Sequence, residues 1–274
     1  MGSEGGITIE ARDLRFAYDG REVLAGIDLD ASAGEVVGVV GPNGSGKSTL
    51  IRILSGVLTG YGGRACVGGR DVRALSRIEL ARRVAVVPQE PTFSFPFSAL
   101  EVVLMGRHPH LAGLTFESER DVELARAALE RCGAAHLAGR PIQELSSGER
   151  QRVVFAKALA QQPGAFLLDE PASFLDIRHQ VELYDVVRER AGEHGATVVT
   201  VLHDLNLAAE YCDRVYLLRN GRVEAGGPTA DVFTYANLTR VFDTEVYVDT
   251  NAVTGKLLVV PLSGRARKHL DEGS

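Results

Sequence analysis

The stretch Gly41-Pro42-Asn43-Gly44-Ser45-Gly46-Lys47-Ser48-Thr49 decides how the rest of the chain is read. It fits the pattern G-x-x-x-x-G-K-[ST], a loop that wraps a phosphate. Before it, Glu35 to Val40 (Glu-Val-Val-Gly-Val-Val) is a short apolar run of the kind shown by a parallel strand buried on both faces. After it, Thr49 to Leu54 is helix-compatible and stops at Gly56. Strand, glycine loop and helix are the context that the pattern needs. The glycines let successive backbone N–H groups turn inward on a β-phosphate, and the helix N-terminus adds a partial positive charge. Lys47 would reach the β- and γ-phosphates, and the Ser48 hydroxyl would ligate Mg²⁺. The stretch predicts binding of a nucleoside triphosphate.

At 274 residues the chain has room for an ample core, in one large domain or two smaller ones. A net charge of −6 argues against nucleic acid as the main partner. Cys66, Cys132 and Cys212 lie far apart and form no C-x-x-C pair. That usage fits a reducing cytosol and argues against both a disulfide framework and a zinc site. No apolar run approaches the roughly 18 residues of a membrane span, and no signal peptide opens the chain. Any membrane association is therefore expected to come through a partner.

Taken in order, Ile7, Ile9 and Ala11, then Leu14, Phe16 and Tyr18, alternate with polar residues as in half-buried strands. With the Asp19-Gly20 turn and Val23 to Leu29, they predict a small antiparallel sheet ahead of the phosphate loop. Tyr18 at its end offers either an aromatic face for an adenine or only a sheet edge. Gly60 to Gly69 reads as a glycine-rich turn region, and Ser76 to Arg83 as a helix. Arg83 to Gln89 reads as a buried strand whose end, Gln89, lies where open α/β sheets place ligands. Pro91 to Phe97 is proline-punctuated, Ala99 to Arg107 reads as a helix, and Ser118 to Cys132 as a long amphipathic one. His108 and His110 have no third metal ligand nearby. Residues 90–160 thus read as a helical insertion into an α/β core.

The second decisive stretch is Leu145-Ser146-Ser147-Gly148-Glu149-Arg150-Gln151-Arg152. Ser146 with Glu149 makes a capping box, and the same helix N-terminus with its hydroxyls suits an anion. Ala165 to Asp169 is a buried strand ending in two carboxylates, Asp169 and Glu170. Asp169 suits the Mg²⁺ shell. Glu170 is placed to polarise an attacking water as general base. Ser173 to Asp176 is a loop before the helix Ile177 to Ala191. Thr197 to Leu202 is another strand, ending at His203, a histidine open to a structural or a functional part. Val215 to Leu218, an Asn220-Gly221 hairpin turn, a helix over Asp231 to Phe242 and a terminal hairpin complete the domain, residues 1–262. The charged tail 263–274 is expected to fray.

Together and in order, these stretches resemble the ATP-binding subunit of an ATP-binding cassette (ABC) transporter over about residues 7–260. Gly41 to Thr49 looks like the Walker A loop and Phe166 to Glu170 like Walker B. Gln89 falls on the Q-loop, which in the family touches the metal, and His203 on the switch histidine. Tyr18 falls on the adenine-stacking aromatic, and Ser173 to Asp176 on the D-loop. Leu145 to Glu149 stands where the family has L-S-G-G-Q, with Ser147 replacing the first glycine and Glu149 the glutamine. The resemblance implies an α/β fold: a RecA-like parallel sheet, an N-terminal antiparallel sheet and a helical subdomain. It also implies ATP and Mg²⁺ as cofactors, and a homodimer in which each ATP lies between one copy's Walker A and the other's Ser146, Ser147 and Gly148, with Glu149 and Asp176 as further nucleotide-binding residues. A membrane permease and, indirectly, a substrate-binding protein would be the other partners, placing the chain on the cytoplasmic face of the membrane. Phe95-Pro96-Phe97, Met105 to His110, Ser173 to Asp176 and His203 to Asn206 are similar to subunits serving iron–siderophore, haem and cobalamin import. An exporter ATPase, or a non-transport ABC protein of translation or DNA repair, is the alternative. The latter usually carries two cassettes or a coiled-coil insertion, and this chain shows neither.

Overall fold

The computed structural model describes residues 6–111 and 116–263. Of the tail 263–274, expected to fray, residues 264–274 lie outside them. β1 (Ile9–Tyr18) and β2 (Arg21–Ala31) pair antiparallel across the Asp19-Gly20 turn. β3 (Val36–Val40) is buried throughout and feeds the glycine loop, from which α1 (Lys47–Leu54) departs. β4 (Gly62–Val67) returns to pair with β1, and β5 (Arg70–Asp71) closes a four-stranded sheet in the order β2-β1-β4-β5. The expected glycine-rich turn is therefore largely a strand. Its Ala65, Cys66 and Val67 are buried, and their pairing with β1 outweighs the flexibility of the flanking glycines.

Beyond β5 come α2 (Arg77–Arg83), capped by Ser76 with Glu79, and β6 (Val84–Val87). Three helices follow: α3 (Ala99–Leu104), α4 (Glu119–Arg131) and α5 (Ser147–Ala160). They pack on one another, and α5 also rests on β6. The chain then alternates β7 (Ala165–Asp169), α6 (Ile177–Gly192), β8 (Thr197–Leu202), α7 (Leu205–Tyr211) and β9 (Arg214–Arg219). β10 (Arg222–Pro228), α8 (Thr229–Val232), α9 (Tyr235–Phe242) and the hairpin β11 (Val246–Thr250) and β12 (Leu257–Pro261) complete the described residues.

The large sheet runs β10-β9-β3-β8-β7-β6, all parallel except the β10 edge. Both faces are buried, which is why its central strands are largely apolar, with Thr197, Thr200 and Asp169 the buried polar exceptions on β8 and β7. On β3, Val37 and Val39 meet the antiparallel sheet and α1, while Val36 and Val40 face the other core. β7 divides the same way, Leu167 to one core and Phe166 and Leu168 to the other.

Two expected helices end differently. α3 stops at Leu104 and tightens into a 3₁₀ stretch over Met105–His110 containing Pro109. That stretch buries Arg107, whose guanidinium donates to Asp121 Oδ1 (2.8 Å), the Ala160 carbonyl (2.8 Å) and Gln162 Oε1 (3.2 Å). Arg107 thereby ties α4 to the end of α5, and hydrogen bonds from the Ser118 hydroxyl and then Arg107 hold the Asp121 carboxyl down at about 2. His110 is spent on the Gln161 carbonyl, 2.8 Å from Nε2. The helix expected over Asp231 to Phe242 is two, because Thr234 interrupts it to cap α9 by accepting from the Asn237 N–H.

Candidate nucleotide site

Because β3, β6, β7 and β8 are parallel neighbours, their C-terminal ends lie along one edge of the sheet. Val40 stands opposite Leu202, Asp169 opposite Val201, and Val87 opposite Leu168. Residues 41, 89, 169 and 203, remote in sequence, are thus gathered at that edge, where doubly wound sheets bind ligands. A cleft of about 1030 Å³ opens there. Of the residues predicted from sequence, Tyr18, Asn43, Gly44, Gly46, Lys47, Ser48, Thr49, Gln89, Glu170 and His203 line it.

The loop's backbone is set by crowding. At Gly46 φ is +103°, and a Cβ would come within 2.5 Å of Leu24 and 2.9 Å of the Val23 carbonyl. Only glycine lets the start of α1 approach β2 this closely. The Lys47 ammonium turns back onto the Gly41 and Pro42 carbonyls at 2.8 and 3.0 Å. Burial lowers its pKa, against the opposing pull of Glu170 and Asp169. Ser48 Oγ donates to Asp169 Oδ1 at 3.1 Å. Asp169 is 7% exposed; burial raises its pKa, Ser48 opposes that, and the neighbouring Glu170 charge adds to it. Pro42 and Ser45 belong to the same loop, with Ser45 buried beneath it.

Glu170 is the centre of the cleft's polar contacts. Gln89 Nε2 donates to its Oε2 at 2.7 Å, and His203 Nε2 lies 2.5 Å from its Oε1. The contact needs one proton between the two atoms, and the Nε2–H tautomer of the imidazole can supply it to an accepting carboxylate oxygen. Glu170 also holds a left-handed backbone, φ +51°. Its N–H donates to the Val201 carbonyl, and its own carbonyl accepts from the N–H and Oγ of Ser173. A non-glycine residue held in that region costs of order 1–3 kcal/mol and is typical of functional sites.

The Ser146–Glu149 stretch lies elsewhere. Ser146 caps α5: its Oγ accepts from the Glu149 N–H at 3.3 Å, and Glu149 Oε2 accepts from the Ser146 N–H at 2.9 Å. Ser146 and Ser147 are exposed, and none of the four residues lines the cleft. A Cβ on Gly148 would stand 2.9 Å from the Phe174 carbonyl, so this helix start packs against the loop that ends at Asp176. Asp176 does not line the cleft; it caps α6 and accepts from His179 Nδ1 at 2.8 Å.

Several cleft residues were not read as site residues from sequence: Arg21, Glu22, Val23 and the Asn220-Gly221 turn. Asn-Gly was legible as a turn, but its destination was not. The Gly221 N–H donates to the Ser45 carbonyl at 3.3 Å, and the Ala25 N–H donates to the Gly221 carbonyl at 2.8 Å, which pins the turn between loop and β2.

A glycine loop at the edge of a parallel sheet, with a buried carboxylate, a strained glutamate and a histidine beside it, defines a phosphate-loop nucleotide hydrolase. The chain belongs to the ABC transporter family, whose profile matches residues 24–173, and it is an ATP-binding ATPase of that family. It is 48% identical over 257 residues to the hemin import ATP-binding protein HmuV of Streptomyces coelicolor, covering 94% of this chain and 91% of that protein. It is 41% identical over 265 residues to the cobalamin import ATP-binding protein BtuD of Halobacterium salinarum. That match takes in 97% of this chain but spans 66% of the longer relative. Its fold is similar to a structure described as an inward-facing metal-chelate type ABC transporter, with a TM-score of 0.80 at 27% identity. The overlap covers 95% of this chain and 99% of that one. No helix among the described residues is long and apolar enough to cross a membrane.

Proposed function

We propose that this ATPase energises import of a metal chelate of the iron–siderophore, haem or cobalamin kind, docked on the cytoplasmic face of a membrane permease. The names of its hemin and cobalamin relatives and of the metal-chelate transporter support that cargo class. In this reading a substrate-binding protein delivers the chelate to the permease and meets this chain only indirectly. Residues 90–160 form the helical subdomain that turns toward the permease.

The observation that carries the mechanism is a division of labour. Glu170 is gripped by Gln89 and His203 inside the cleft, while the hydroxyls of Ser146 and Ser147 stand on an exposed helix end outside it. Two copies placed head to tail bring each signature stretch onto the other's nucleotide. Tyr18 stacks on the adenine, and Lys47 exchanges its two carbonyl acceptors for β- and γ-phosphate oxygens. The Ser48 hydroxyl and Asp169 carboxylate already face each other, hard oxygen donors of the kind Mg²⁺ takes, with Gln89 as a further one. When bound, Mg²⁺ neutralises charge on the phosphate oxygens. Glu170, relieved of one of its two partners, accepts the proton of the attacking water, and His203 orients it. ATP at a shared interface favours the closed dimer and ADP does not, which converts hydrolysis into movement.

Glu170→Gln tests this. The amide keeps the shape and cannot accept a proton, so hydrolysis should slow by about 10²–10⁴-fold. ATP still binds, and the variant should collect as an ATP-dependent dimer on a sizing column. Wild-type turnover with no dimer would remove Glu170 and the shared site together.

A further inference from the structure

The second turn of α5 carries Gln151, which has no part in the mechanism above. It is wholly buried. Its Nε2 donates to the Pro88 carbonyl over a long 3.4 Å, and its Oε1 has no hydrogen-bond partner among the described residues. A buried amide with an unused acceptor lowers stability, and an apolar side chain of that size would fill the space without the penalty. Packing alone therefore does not account for it. Its contact is also specific in place. Pro88 immediately precedes Gln89, and Gln89 Nε2 holds Glu170 Oε2 at 2.7 Å. One turn earlier on α5, Gly148 abuts the Phe174 carbonyl. A single buried side chain thus joins the helix that presents the signature to the segment that grips Glu170.

We infer that Gln151 is a positioning residue, relaying engagement of Ser146–Gly148 by the partner's nucleotide through Pro88-Gln89 to the Glu170 carboxylate. The relay rests on the head-to-tail reading above. A weak contact and a free acceptor leave the amide able to change partners when the Pro88-Gln89 segment shifts. Such a contact with two discrete arrangements is what transmission between sites requires.

Gln151→Met keeps the length and volume, removes both polar atoms and relieves the unused acceptor. Its thermal midpoint should equal or exceed that of the unaltered protein. KM for ATP should stay within about twofold while kcat falls about three- to thirtyfold. The decisive measurement is a double-mutant cycle in kcat with Gln89→Ala. A relay predicts that the double variant loses no more than the worse single one, whereas two independent structural effects multiply. Unchanged kcat in Gln151→Met, or losses that multiply, would overturn the relay. Should Gln151→Met not fold, Gln151→Leu takes its place in the same cycle under the same criteria. Failure of the head-to-tail reading shows separately, as absence of an ATP-dependent dimer in Glu170→Gln. The cycle within one chain still reports whether α5 and the cleft are linked.

Discussion

The sheet edge and the outer end of α5 are finished to different degrees within one chain. At the sheet edge the charged groups already have partners: Lys47 has two carbonyls, Asp169 a hydroxyl, and Glu170 an amide and an imidazole. At the start of α5, Ser146 and Glu149 satisfy each other, and Ser147 faces solvent. The difference follows from burial. Ionised groups taken out of water must be paired or hydrogen-bonded to be tolerated, whereas an exposed helix end is served by water. The cleft is therefore built by the fold alone, whereas the helix end is satisfied by its own capping box and by water, and it is the head-to-tail reading proposed above that gives it a second use.

The sharpest way to break this contrast is at Lys47. Lys47→Ala removes two charge-assisted contacts, each contributing about 1.5–3 kcal/mol, so ATP affinity should drop by about 100-fold or more. Nucleotide fluorescence titration would read it, and tight binding would show that the prepared cleft is not the ATP site.

A smaller effect is expected within the helical unit, which has one closed polar knot of its own. Asp121→Asn weakens the grip on buried Arg107 and should lower unfolding stability by about 1–3 kcal/mol in denaturant titration. The pH dependence has a definite sign. The folded Asp121 carboxyl lies at about 2, below its unfolded value. Its stabilisation is full above about pH 4 and fades as pH falls toward the folded value. The Asn variant should lack that part of the acid slope while binding ATP as before; an identical slope would detach Asp121 from it.

The smallest change in number, and the most informative about α5, is a count of nucleotides. A crosslinked dimer with Lys47→Ala in one copy and Ser146→Arg in the other should keep one competent site. If Ser146 served its own chain's cleft, both sites would be damaged and none would remain.

Much of the site was legible because its parts are local. The phosphate loop, the Asp169-Glu170 strand end and the Ser146–Glu149 capping box are each contiguous, and their chemistry follows from side-chain type and spacing. The helix ends were less legible. Nothing local showed that α3 would tighten at Met105 so that Arg107 could reach Asp121, Ala160 and Gln162. Nor did the glycines around Ala65 to Val67 announce a strand, since the partner that makes it one is β1, some fifty residues earlier.

By itself, then, the amino-acid order determined the phosphate-loop pattern, the paired carboxylates and the Ser146–Glu149 capping box, because those properties reside in a few adjacent side chains. Only the tertiary structure decided which of them share a cleft. The strand order β10-β9-β3-β8-β7-β6 sets Gln89 and His203 on either side of Glu170, carries Asn220-Gly221 against Ser45, and leaves Ser146–Glu149 outside. It also turned Gln151, polar and assigned no role of its own from sequence, into a buried link between α5 and Pro88. The physical reason is that burial and strand adjacency are properties of contacts between distant segments, and no short window of sequence contains both sides of such a contact.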